Sequence, residues 1–189
     1  MTKKELRSKY KQKRLEISSK EKLKLDDLLL IRFQQLAFEN VEVLLSYWPM
    51  SHHAEPNTIL YTSYLRHSIP GLRIGYTRTN FEDCSMQAVE INEDTLYTTN
   101  HIGITEPCGE VYIAPEEIDL VFVPMLICDE NGYRVGFGKG FYDRFLSRCR
   151  PDILKVGFSY FEPVATIADR NEFDIPLDYC ITQDRIYEF

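Results

Sequence analysis

The chain has 189 residues, 44% of them hydrophobic, and its 22 Lys and Arg against 29 Asp and Glu give a formal net charge of -7. That is the size of one domain able to bury a sizeable core, so disorder is excluded, and the acidic balance makes the surface as a whole a poor match for nucleic acid. The longest apolar run, residues 120–128, falls well short of the roughly 18–20 residues that span a bilayer and contains Pro124.

The amino-terminal segment has positive charge but no apolar stretch behind it and no small-residue cleavage site. It is not a secretory signal, and a cytoplasmic address is expected. Five cysteines, at 84, 108, 128, 149 and 180, form no close pair. Neither a disulfide framework nor a zinc site is suggested, and buried reduced thiols are expected. Charge is uneven along the chain: residues 1–24 hold ten Lys or Arg and three Glu, while the remainder is strongly acidic. A basic helical arm on an acidic body is expected, either as a solvated helix face or as a binding element for a small anion.

Two helices are predicted to open the chain, each from a capping box, Thr2-x-x-Glu5 and Ser18-x-x-Glu21. The second carries Leu25, Leu28, Leu29, Phe33 and Leu36 at three- and four-residue spacing and is expected to run to about Phe38. Residues 41–48 read as a buried strand and 57–66 as a helix. Residues 72–77 and 86–91 read as strands, 120–126 as a strand covered on both faces, 141–149 as a helix, and 153–160 and 179–182 as the last strands. No repeat or linker divides the chain. Strands alternating with helices predict a single α/β domain with a mainly parallel sheet, whose ligands sit at the carboxyl ends of the strands.

That rule points to the segment after the 120–126 strand. Gly132, Gly136, Gly138 and Gly140 are four of the chain's nine glycines. Such a run allows turns whose backbone N–H groups converge on an anion, and Arg134 and Lys139 add cationic donors. A helix starting near Gly140 would add a positive terminus. Asp143, one turn in, is poorly explained by structure alone, and a carboxylate beside a phosphate cradle suits Mg2+. The segment is neither a Walker A loop, since Lys139 is followed by Gly140, nor a GxGxxG dinucleotide motif. Alone, it could equally be a tight strand-to-helix turn whose glycines relieve strain.

The chain resembles the 5-formyltetrahydrofolate cyclo-ligase family. The resemblance rests on Asp119, Pro124, Arg134, Gly136, Gly138, Gly140 and Phe141-Tyr142-Asp143. It extends to Lys3-Lys4-x-Leu6-Arg7, Glu55-x-x-Thr58, Gly103-Ile104-x-Glu106-Pro107 and Asp178-x-x-x-Thr182, which span nearly the whole chain. It implies a three-layer α/β/α fold and an ATP- and Mg2+-dependent conversion of 5-formyltetrahydrofolate to 5,10-methenyltetrahydrofolate, with release of ADP and phosphate. The partners implied are small molecules, with no nucleic acid or membrane, and a monomer is expected. The alternative is a chain of the same fold that binds formylfolate or ATP without turnover, as a store or sensor.

Carried over residue by residue, the resemblance implies an ATP site of Lys3, Lys4, Arg7, Arg134, Gly136, Gly138, Lys139, Gly140 and Tyr142. Of these, Lys139, Arg134 and Tyr142 are the catalytic candidates. It implies folate contacts at Met50, Glu55, Phe137, Gly138, Lys139, Gly140 and Phe141, and Mg2+ ligands at Asp143 and Asp178. The chain departs from the family pattern at Ile102, where an aromatic residue is common, at Phe173 before Asp174, where His is frequent, and at Pro56-Asn57. His52 and His53 are adjacent and impose no metal-binding geometry, and His67 and His101 have no nucleophile that spacing links to them.

Overall fold

The computed structural model describes residues 1–189. Helix α1 (Lys3–Leu15) starts from the predicted capping box: Thr2 Oγ1 accepts from the Glu5 N–H and the Glu5 carboxylate accepts from the Thr2 N–H. Helix α2 (Ser19–Phe33) has only half of its box, because Ser18 Oγ accepts from the Glu21 N–H with no return bond. It also ends at Phe33 rather than near Phe38. Phe38 nevertheless packs on Phe33, ring centroids 5.3 Å apart. The apolar periodicity continues beyond the helix because the following turn folds back on the same core.

The remaining elements are β1 (Val43–Ser46), α3 (Thr58–Ser68), β2 (Arg73–Asn80), β3 (Ser85–Glu90), β4 (Tyr97–Thr99), β5 (Thr105–Pro107), β6 (Tyr112–Ile113) and β7 (Leu120–Val123). They are followed by β8 (Ile127–Cys128), β9 (Arg134–Val135), α4 (Phe141–Leu146), β10 (Leu154–Phe158), β11 (Tyr179–Ile181) and β12 (Ile186–Glu188). One eight-stranded sheet has the order β12-β11-β10-β7-β1-β2-β3-β6. Its five central strands are parallel; β12 and β3 run antiparallel to them at the two sides, and β6 pairs antiparallel with β3. The hairpins β4–β5 and β8–β9 stand apart from it.

Register explains the two cores. Leu44 pairs with Leu120 and Leu45 with Val121, so alternate residues point to opposite faces. On one face Leu44, Leu120, Phe122, Val156 and Phe158 pack with Leu29 and Phe33 of α2 and Tyr61 and Leu65 of α3. On the other Leu45, Val121, Val123 and Cys180 pack with Phe145 and Leu146 of α4. Helix α1 lies across the carboxyl end, where Leu6 and Tyr10 meet Leu126, Ile127 and Val135. The three layers are thus unequal, since α4 has six residues instead of the predicted nine. Strand β7 stops at Val123 because Pro124 has no N–H to continue the ladder. No helix is long and apolar enough to cross a membrane.

Asp119, singled out by sequence, closes the opposite edge. Its Oδ2 accepts from the N–H groups of Glu42 and Val43 at 2.9 Å, and its Oδ1 from Arg150 at 2.7 Å. It joins β7 to β1 and is remote from the strands' carboxyl ends.

Candidate active site

A cleft of about 710 Å³ opens at the carboxyl edge of the sheet. That volume suits a small-molecule ligand. Helix α1 supplies Lys3 and Arg7, the segment after β1 supplies Tyr47, Trp48, Met50 and Glu55, and β2 supplies Thr77 and Thr79. Residues 134–144 form one wall and 171–175 another.

The glycine wall is held from several sides. Fully buried Asp129 accepts from the N–H groups of Asn131 and Tyr133, which turns the chain from β8 into β9 and presents Arg134. Arg134 pairs with Asp143 at 2.8 Å and also donates to the Ile175 carbonyl. From the other side, Arg7 Nε donates to the Gly136 carbonyl at 2.8 Å. Gly138 has φ +93°, and a Cβ there would sit 3.1 Å from the Arg7 guanidinium, so the close approach requires glycine. Lys139 is exposed on the loop and lines the cleft. Helix α4 is too short for a large macrodipole, so the attraction for an anion comes chiefly from Lys3, Arg7, Arg134 and Lys139.

The opposite end is aromatic and buried. Glu55 is 2% exposed; its Oε2 accepts from the Met50 N–H at 2.8 Å, and its Oε1 has no partner. Burial pushes the carboxyl up to about 7, against the lowering effect of the Met50 N–H and of Arg14. The Tyr142 hydroxyl, which makes no well-formed hydrogen bond although Thr77 lies near it, is raised by burial well above the phenol range. Unsatisfied buried polar atoms facing a cavity are suited to a ligand's hydrogen bonds. Phe137 stacks against His53 with centroids 5.0 Å apart. Burial and the neighbouring His52 lower the His53 pKa to about 4, so its ring is neutral at physiological pH.

The cleft brings together Lys3, Arg7, Met50, Glu55, Arg134, the 136–141 segment, Tyr142 and Asp143. Lys4 stays outside: it is exposed on α1, one residue and about 100° round the helix from Lys3. Asp178 is not brought to Asp143. It precedes β11 at the amino edge of the sheet, where it accepts from the Lys155 N–H at 2.7 Å and pairs with Lys155 Nζ at 2.8 Å. The two carboxylates lie at opposite ends of the strands, so they cannot share one ion.

Asp174 takes the place expected of Asp178. It lines the cleft and receives both carboxylate hydrogen bonds from Lys3 Nζ, one at 2.6 Å. Next to it, the Ile175 N–H donates to Asp143 Oδ1 at 3.2 Å. Sequence reasoning marked the Phe173-Asp174 pair only as a departure at Phe173; the acidic spacing four residues before Asp178 was the available signal. Ile102 is exposed and away from the cleft, and Ile104 lines it instead. Trp48, Thr77 and Thr79 are further lining residues that no motif marked.

A parallel sheet with a cleft at its carboxyl edge, cationic and glycine-rich at one end and aromatic with a buried acid at the other, defines an α/β protein whose cleft offers two ends of contrasting polarity. The 5-formyltetrahydrofolate cyclo-ligase family matches residues 1–180, and the chain belongs to that family. A 5-formyltetrahydrofolate cyclo-ligase of Mycoplasma genitalium is 38% identical over 36% of this chain and 42% of its own. The mouse protein of that name is 26% identical over 95% of this chain and 92% of its own. The bacterial relatives are matched over about half of their length or less. The NMR structure of Aquifex aeolicus 5,10-methenyltetrahydrofolate synthetase superposes with a TM-score of 0.80 and 28% identity, covering 100% of this chain and 93% of that one.

Proposed function

We propose that the chain is itself a 5-formyltetrahydrofolate cyclo-ligase, closing 5-formyltetrahydrofolate to 5,10-methenyltetrahydrofolate with ATP and Mg2+ and releasing ADP and phosphate. The observation that carries this reading is the two-ended cleft: Lys3, Arg7, Arg134, Lys139 and Arg144 around a glycine loop at one end, and the unpartnered Glu55 Oε1 in a buried aromatic wall at the other.

A formamide carbon is a poor electrophile, and the folate N10 cannot displace its oxygen unless that oxygen becomes a leaving group. Attack of the formyl oxygen on the γ-phosphate of ATP supplies one. ADP leaves as the formyl oxygen takes the phosphoryl group; N10 then adds to the resulting N5-iminium phosphate and loses its proton, and the formyl C–O bond breaks as phosphate departs. The protein's part is to align the two substrates and to neutralise charge on the transferring group. Lys3, Arg7 and Arg134, with the backbone at Gly136, Gly138 and Gly140, would hold the triphosphate. Lys139 would follow the transferring phosphoryl group as the main electrostatic stabiliser. Tyr142 would add its unpartnered hydroxyl at the junction of the two ligands.

Glu55 and the Met50 segment would take the pterin's amino and ring N–H donors, with Phe137 and Phe141 against its face. Asp143 and Asp174 are oxygen donors at the phosphate end and fit a hard divalent ion completed by phosphate and water. Bound there, Mg2+ would offset phosphate charge and orient the γ-group. Without ligand, Arg134 and Lys3 offset these same carboxylates.

The test is growth of the near-ultraviolet band of the conjugated methenyl product with purified protein, 5-formyltetrahydrofolate and Mg2+. Growth only when ATP is added is expected. Folate and ATP binding without product would replace the ligase reading with that of a store or sensor.

A further inference from the structure

Behind the proposed folate end lies a buried charge that the reaction does not use. Arg14, in the last turn of α1, is 1% exposed. Its Nη2 donates to the Met125 carbonyl, while Nε and Nη1 have no partner. A buried guanidinium with idle donors is costly unless an opposite charge lies close by. Helix α1 packs against the 51–53 turn that leads into Glu55. Among charged groups, Glu55 acts most strongly on Arg14, and Arg14 most strongly on Glu55. The two do not hydrogen-bond each other, and Glu55 Oε1 is also idle.

The other groups around Glu55 cannot substitute for Arg14. Lys22 of α2 is committed to Asp26 at 2.7 Å. Tyr160, after β10, donates to Asp26 at 2.6 Å and to the Glu55 carbonyl at 3.3 Å, so it leaves the carboxylate untouched. Tyr47 and Tyr142 are buried phenols held neutral, and His53 is neutral, so none of the three brings a charge to the carboxylate. Resting on the folate reading of Glu55, we propose that Arg14 is a positioning residue for the pterin: without touching substrate, its buried charge favours the carboxylate form of Glu55 that meets the ring's N–H donors, against the burial that favours the acid.

The experiment compares wild type with Arg14→Met and Arg14→Lys, each carrying 13C-carboxyl-labelled glutamate, with the Glu55 signal identified by its loss in Glu55→Gln. In ligand-free protein the Glu55 titration is expected to move about one pH unit or more higher in R14M and to return in R14K. At pH 7 the KM for folate should rise about fivefold or more in R14M, with the acid limb of kcat/KM moved about one pH unit higher and the KM for ATP unchanged. An unmoved Glu55 titration in folded R14M would overturn the proposal. If R14M does not fold, the double variant Arg14→Met/Glu55→Gln, which removes both charges, is expected to recover folding, and failure to recover overturns the proposal equally. The NMR titration needs no turnover, so it stays readable even if wild type makes no methenyl product and the ligase reading falls.

Discussion

Arg7 Nε donates to the Gly136 carbonyl at 2.8 Å, across a sequence separation of 129 residues. One side chain from the first helix therefore sets the position of the glycine loop. Replacing Arg7 by Ala removes that restraint and one cleft-lining cation together. The KM for ATP is expected to rise by about tenfold, on the scale of one charge-assisted contact. Calorimetric folate affinity should stay within about twofold, and an equal loss for both ligands would assign Arg7 to general stability instead.

Lys139 is exposed and its side chain makes no ion pair, so its removal leaves the fold intact. Lys139→Ala is expected to lower kcat by about 10²–10³, as for loss of one donor aimed at developing charge. Folate binding should persist. A KM effect with unchanged kcat would make it a ground-state phosphate contact.

The carboxylates separate by position. Asp143→Asn and Asp174→Asn should each raise the Mg2+ concentration needed for half-maximal rate by about tenfold or more. Asp178→Asn should leave the Mg2+ titration unchanged and lower Tm, because it strips the buried Lys155 of its ion pair. A metal effect at Asp178 alone would contradict this assignment.

Glu55 also makes stability pH-dependent. Its folded pKa of about 7 stands above the ordinary value of 4.5, so the folded state retains a proton that the unfolded chain releases. The resulting stabilisation is fully present below about pH 4.5 and is lost as pH rises through about 7. Ligand-free Glu55→Gln should escape this loss and be more stable than wild type at pH 8 by up to ~3 kcal/mol. Denaturant melts of both proteins at pH 5 and pH 8 measure it; the same pH dependence in both would show that Glu55 is not the titrating group.

The central strands and α1 to α3 were legible because the signals that mark them are local: hydrophobic runs, helical spacing and capping residues. The short strands β4, β5, β6, β8, β9 and β12 were not, since two- or three-residue pairings depend on partners far along the chain. The same distinction runs through the site. Arg134 to Asp143 form one continuous signal, and Glu55 carried a recognisable spacing. Asp174 was overlooked in favour of Asp178 because both acids lie in one irregular segment, and only the path of the chain decides which reaches the cleft. Lys3 and Lys4 show the same limit on a helix, where adjacent side chains diverge by about 100°.

The cationic end of the cleft is also where the chain's two distant parts meet. The Lys3 N–H donates to Asp169, Lys3 Nζ to Asp174, and the Met1 carbonyl accepts from the Ala168 N–H. These junctions span 166 and 171 residues in the two side-chain cases. Loop closure over such distances comes late and slowly in folding. During synthesis this end of the cleft is therefore completed only once residues 168–174 have emerged, whereas the residues of the Glu55 end, Tyr47, Met50, Glu55 and Tyr142, all precede them, and the last two strands of the sheet, β11 and β12, follow.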